Sequence, residues 1–228
     1  MTAGRVVTVT GRPPVPQAAD NHPVKRSPAH RMHEALGARF IEEGGWLVAA
    51  SYEGAEETAA LRDSVGVADV TARGKIDVRG EIATLVQSVV AGGALVARIS
   101  EDWALIIALA DGVGDRVRAL EAQAGATATV TDVTHLYAGF VLAGPALPDV
   151  LSRLTGFDTD SLAPGSAAGA PLAEIPAVVV RRNLDVPAVE VYAASEFGRY
   201  LWETLLFKAR ALGGGPAGWD ALRSLGWA

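Results

Sequence analysis

Between residues 74 and 133 the apolar pattern of this 228-residue chain changes period in a fixed order, and that order restricts its possible folds more than any other feature. Ile76 and Val78 alternate with charge over 75–79, which is the period of a half-buried strand. Ile82, Leu85, Val86 and Val89 then share one face of a helix over 81–90, which Gly92 and Gly93 end. Strands over 95–99 and 103–109 are joined by the polar turn Ser100, Glu101, Asp102. Val113, Val117 and Leu120 mark a helix over 113–124, and the β-rich run 127–133 closes the set. This order, β-α-β-β-α-β, is the split βαβ unit, an antiparallel sheet with its helices on one face.

A second pass repeats it. A strand over 137–142 leads into a helix opened by Gly144 and Pro145, with Leu147, Val150, Leu151 and Leu154 at i, i+3, i+4, i+7. The stretch 156–176 is rich in Gly, Ala, Ser and Pro and reads as a loop. Strands follow at 177–182 and 188–193, then a helix over 196–211 with Ser195 as N-cap, Gly213 as stop, and Phe197, Leu201 and Leu205 as its buried stripe. Upstream, Met32, Leu36 and Phe40 at i, i+4, i+8 predict a short amphipathic helix, and Leu61 with Val65 a second over 55–65, stopped by Gly66. The expected architecture is α+β: two split-βαβ, ferredoxin-like halves at about 74–135 and 136–228. They belong to one body over 27–228, with helices outside and a central cleft between the sheets. Residues 1–26, interrupted by Pro13, Pro14, Pro16 and Pro23, are expected to be a flexible or partner-bound arm.

Composition removes several functions. A net charge of -6 lacks the clustered Lys and Arg that a nucleic-acid surface needs. With no cysteine there is no disulfide, no thiolate nucleophile and no Cys-ligated metal. Every apolar run is broken before the ~20 residues of a membrane span. No apolar core of a signal peptide follows the start, and a cytoplasmic setting is expected. His30, His33 and Glu34 lie on one helix but lack a further ligand, so capping or surface roles are expected and no metal. His135 stands alone before a strand. No G-x-S-x-G elbow is present, and A-D-G-V-G-D at 110–115 lacks the third glycine of a dinucleotide fingerprint.

Several blocks in sequence carry a resemblance: S-P-x-H-x-x-H-E-x-L-G-A-R-F at 27–40, G-G-W at 44–46, Tyr52, L-R-x-x-V-G-V-x-D-V at 61–70, and G-K-I-D-V-R-G at 74–80. The second half adds G-P-A at 144–146, V-E-V at 189–191, L-W-E-T-L-L at 201–206 and G-W-D-A-L-R at 218–223. Together they resemble the folate-binding domain of the glycine-cleavage T-protein (aminomethyltransferase) family. They also resemble the related folate-fold parts of sarcosine and dimethylglycine oxidases, including the small gamma subunit of heterotetrameric sarcosine oxidase. The resemblance implies a T-protein-type body without the family's C-terminal barrel domain, and tetrahydrofolate as cofactor in one-carbon metabolism. The alternative it implies is a non-catalytic folate-fold subunit among amine-oxidase partners.

Glu190, on the strand matching the family's pterin-gripping acid, is the first candidate. A carboxylate can accept paired N–H bonds from the pterin's guanidine-like edge. Tyr192 shares its face of the strand, while Val189 and Val191 share the other, so both should face solvent or the cleft. Arg223 matches the family in position, although a local ion pair with Asp220 three residues away is its plainer reading. The family's paired aspartates ahead of the strand at 95–99 are missing, since that segment reads V-V-A-G-G-A-L-V. Glu101 and Asp102 read as solvated turn residues, and Trp219 replaces the arginine that precedes the family's matching Asp, so no catalytic residue is assigned.

Overall fold

The computed structural model describes residues 24–91 and 94–227; residues 1–23 of the arm expected over 1–26, and the expected helix stop at Gly92 and Gly93, lie outside the described residues. The N-terminal helix is shorter than its apolar spacing suggested. The first helix, α1 (His30–Ala35), gives way at Gly37, whose φ of 73° turns the chain into a strand. Phe40, expected on that helix, therefore stands in β2 (Ala38–Glu43). Gly44 and Gly45, with φ of 55° and 75°, form the two-residue turn into β3 (Trp46–Tyr52), since a tight hairpin needs positive φ at both positions. Lys25–Arg26, at the end of the expected arm, pair in parallel with β3 as β1.

The second helix, α2 (Glu57–Asp63), occupies the middle of its expected span. Its Glu57 carboxylate accepts the backbone N–H groups of Tyr52 and Gly218, each at 2.6 Å, and so ties together segments far apart in the chain. A four-residue buried strand, β4 (Gly66–Asp69), follows it.

The first split unit forms as expected: β5 (Gly74–Gly80), α3 (Ala83–Ala91), β6 (Leu95–Arg98), β7 (Trp103–Ala108), α4 (Val113–Ala124) and β8 (Ala128–Asp132). Its strands lie in the order β6-β7-β5-β8, every pair antiparallel.

The second unit contains β9 (Tyr137–Ala143), α5 (Leu147–Leu151), β10 (Ala167–Leu172), β11 (Ile175–Asn183), β12 (Pro187–Ala194) and α6 (Gly198–Arg210). β13 (Gly215–Pro216) and α7 (Trp219–Arg223) end the described chain. The six strands of its sheet run β10-β11-β12-β9-β4-β13. Within it β11-β12-β9-β4 repeats the neighbour pattern of the first sheet. The fourth place, however, belongs to β4, from before both units. β10 lies inside the stretch 156–176 that was expected to be loop; Gly169, Pro171 and small residues hide it from any periodicity, and six register pairs with β11 make it a strand.

The core explains the layering. Ile76, Val78, Ile106 and Val130 pack under Ile82, Leu85 and Leu120 of the first unit's helices. Val179, Val189 and Val191 do the same under Leu201 and Leu205 of α6. The inner faces meet directly: Ala97, Leu105 and Ile107 of the first sheet touch Val178, Val180 and Tyr192 of the second. The expected open cleft is therefore largely closed by side chains, because each sheet has an apolar inner face to bury. The rest of the second sheet's inner face, Ala68, Val141 and Ala188, is covered by Trp219, Leu222 and Trp227 with Trp46 and Val48 of β3.

Ala173 and Glu174, the two residues between β10 and β11, take φ of 50° and 66°, a conformation that disfavours any residue with a Cβ. Glu174→Gly is expected to stabilise the protein by about 0.5–1 kcal/mol, read as a higher urea midpoint at unchanged slope.

Candidate functional site

Where the two sheets and the α7 segment meet, a set of polar side chains is enclosed. The chain passes from β4 in one sheet to β5 in the other through the turn 70–73, and this crossing delivers Arg73 between them. Glu190 on β12 points to the same place, as its period-two alternation with Val189 and Val191 required. It reaches neither solvent nor an open cleft, however, being 0% exposed. Its Oε1 accepts from Arg73 Nη1 at 3.2 Å, from Trp227 Nε1 at 2.8 Å, and from Arg182. Oε2 accepts from the Tyr192 hydroxyl at 2.5 Å. Burial, and then the Glu190 charge, push the Tyr192 phenol well above its ordinary range, so it stays a donor. The Tyr192 ring lies over Gly139, where a Cβ would come within 2.6 Å of the ring.

A second network lies behind the first. His33 Nε2 pairs with Asp69 Oδ2 at 2.8 Å while its Nδ1 pairs with the Tyr52 hydroxyl at 2.8 Å, and all three residues are buried. His33 is thus neither a cap nor a surface residue, and His30 is buried beside Phe40, 4.5 Å between ring centres. Burial alone would raise Asp69, but the His33 hydrogen bond and the His33 charge hold it below its ordinary value. The two networks connect through indoles: Trp219 donates to the Asp69 carbonyl at 2.8 Å and meets Trp227 edge-on, 5.2 Å between centres. His135 stacks on Trp46.

Lys75, at the start of β5, is fully buried on the same inner face. Its Nζ donates to the Thr71 carbonyl at 2.6 Å. Burial lowers its pKa to about 7, opposed by the charges of Asp69 and Asp132. In the sequence Lys75 stood out only as a member of the G-K-I-D-V-R-G block, and nothing marked Arg73, Arg182 or Trp227.

Beside Tyr192 an apolar cavity of about 440 Å³ opens between the sheets, lined by Trp103, Tyr137, Gly169, Ala170 and Pro171 among others. None of its lining residues is acidic. The adjacent carboxylates are engaged elsewhere: Asp77 accepts from Trp103 Nε1 at 2.7 Å and Arg79 Nε at 2.8 Å, and Glu190 from its four donors. Asp102 is exposed and accepts from the Ser100 hydroxyl at 2.6 Å, as a turn residue does.

Of the sequence-predicted residues, Glu190 and Tyr192 are brought together. Arg223 is not among them. It lies at the surface over the Trp219 ring, paired with Glu43 at 3.1 Å and Asp220 at 3.7 Å, and Asp220 also binds Arg39 at 2.5 Å. The indoles of Trp219 and Trp227 stand between it and Glu190. As arranged, the acceptor positions of Glu190 are taken by the chain's own donors and do not fit a pterin edge.

Residues 86–227 match the family described as the GCVT N-terminal domain. The chain belongs to this family. Among its relatives, the aminomethyltransferase of Parafrankia sp. (strain EAN1pec) is 31% identical over 89% of this chain and 63% of its own length. That of Mycobacterium bovis is 31% identical over 87% and 61%. The chain thus spans about three fifths of these relatives. The glycine cleavage system aminomethyltransferase T from Bartonella henselae superimposes with a TM-score of 0.72 at 20% identity, over 89% of this chain and 62% of that one. A chain of the heterotetrameric sarcosine oxidase from Corynebacterium sp. U-96 gives 0.61 at 17% identity, over 82% of this chain and 95% of that one. The family's fold is therefore the fold here. Among the described residues, no helix is long and apolar enough to cross a membrane.

Lys75 gives a pH test of this interior. Folded, it releases its proton near pH 7; unfolded, near the ordinary 10.5. Between those values the unfolded chain binds the extra proton, so this group makes stability rise with pH across that window. Lys75→Met should therefore be more stable than the parent at pH 7 and below, on the order of 1 kcal/mol or more, with the advantage shrinking toward pH 10. Thermal midpoints of both proteins from pH 6 to 10 check it.

Proposed function

We propose that this chain is a cytoplasmic, non-catalytic folate-fold subunit that works within an amine-oxidase-type hetero-oligomer. The observation that carries the reading is the cavity between the sheets, which has aromatic and small apolar walls and no acidic side chain among its lining residues. One-carbon transfer on a folate moves protons at ring nitrogens, and a positioned acid or base contributes ~10²–10⁴-fold to such a step. Here Asp77 and Glu190, the carboxylates beside the cavity, are held by indole, hydroxyl and guanidinium donors and face other work. The sarcosine oxidase chain, matched over 95% of its length, shares this fold within a heterotetramer, which supports the subunit role.

A second reading, tetrahydrofolate binding in one-carbon metabolism, is favoured by the same cavity. Trp103, Tyr137 and Tyr192 offer ring faces and edges at its walls, and 440 Å³ admits a bicyclic ring. The two readings separate in solution. The purified chain, given tetrahydrofolate and an aminomethyl donor, is expected to show no transfer above the uncatalysed rate. Co-expressed with the remaining subunits of a sarcosine-oxidase-type enzyme, it is expected to co-elute in a stoichiometric complex. Robust turnover by the chain alone, with no complex formed, would replace the subunit reading with the enzymatic one.

A further inference from the structure

We propose that the wedge between α3 and α4, on the helix-covered face of the first sheet, is a binding site for a small apolar monocarboxylate, an alkanoate of about four to six carbons whose head is held by Arg116. The proposal is independent of both readings of the cavity between the sheets, which lies against the opposite face of β7, the one that carries Trp103. Ile76 of β5 and Ile106 of β7 stand directly opposite each other in the sheet and form the floor of the wedge. Val89 of α3 and Leu120 of α4 form its walls. Ser88 and Ala119 are too small to fill the space between the helices, and a cavity of about 190 Å³ remains. An apolar cavity of ~150 Å³ admits a benzene ring, so this one has room for a short alkyl chain. On one side the helices are tied together, the Ser88 hydroxyl donating to Gln123 Oε1 at 3.0 Å.

Arg116 gives the wedge its preference. Arg116, Ala119, Leu120 and Gln123 follow one another at i, i+3, i+4, i+7 along α4 and all line the cavity, so the half-buried arginine stands on the face by which the helix packs. A cation on such a stripe is ordinarily answered by a carboxylate. Here the guanidinium has no ion pair or side-chain hydrogen bond among the described residues, and none of the lining residues is acidic. Asp115, the adjacent acid in the sequence, is bound to Arg118 instead. Arg116 also lies in the first turn of α4, where the backbone N–H groups add to its positive potential rather than offset it. An unanswered guanidinium over an apolar floor selects a carboxylate, which its planar fork can hold through two N–H donors, joined to a hydrocarbon tail. A ligand ammonium group would meet the same cation with no acid to balance it, so the rim disfavours a free amino acid.

Titration of the full chain with hexanoate, followed by calorimetry and by amide NMR shifts, is expected to give saturable binding with a Kd of about 1 mM or below and shifts centred on α3 and α4. Hexanol keeps the tail without the charge, and 2-aminohexanoate adds the ammonium; each should bind roughly tenfold more weakly, the scale of a hydrogen bond to a charged group. Arg116→Met keeps the apolar stem and removes the charge. This variant, verified as folded by circular dichroism, should still take up hexanol with the parent's affinity but lose the preference for hexanoate. The site would be overturned by no saturable hexanoate binding, by equal parent affinities for hexanoate and hexanol, or by unchanged hexanoate affinity in Arg116→Met. Shifts centred instead on Trp103, Tyr137 and Tyr192 would also overturn it, by placing the ligand between the sheets.

Discussion

A carboxylate with no access to water sits where two sheets and the last helix meet, and the rest of the arrangement depends on keeping it paired. Removing an ionised group from water costs several kcal/mol even after relaxation, so a buried Glu persists only among matched donors. Glu190 obtains them from the turn linking the two sheets, a neighbouring strand, its own strand and the segment after α7. The ion pair adds little net stability by itself, because desolvation offsets most of its attraction. What the bonds do is bring the linking turn, β11 and Trp227 to one carboxylate.

The apolar layers make that burial possible. Each unit hides one face of its sheet under helices and then presses its inner face against the other unit, so the polar groups at the seam are screened from solvent on both sides. Trp219 and Trp227 close the remaining side, and their N–H groups serve the two polar networks in turn, one at Asp69 and one at Glu190. Lys75 and the His33–Asp69–Tyr52 set belong to the same interior. Such connected networks favour a single packing, since each unsatisfied member would carry its full desolvation cost.

The chain has the fold of its family, and its own side chains fill much of the space between the sheets. The fold agrees with the aminomethyltransferase T structure over most of this chain, and the cavity between the sheets is bordered by indole, phenol and small apolar residues. The carboxylates nearby serve internal bonds.

The sequence by itself determined the elements whose side chains repeat with a regular period. It placed α4 at its observed bounds, found the strands around 76, 96 and 105, and set Glu190 and Tyr192 on the face away from α6, because alternation and helical spacing are local properties of a chain. The strand β10 was invisible, since Gly, Ala and Pro carry no periodicity and only pairing with β11 makes them extended. Phe40 was assigned to a helix because i, i+8 spacing fits both helix and strand, and the positive φ of Gly37 decided between them. That Glu190 is sealed was decided by tertiary structure alone. Its partners Arg73 and Trp227 lie 117 and 37 residues away, and the desolvation that gives the cluster its meaning exists only once both sheets have closed over it.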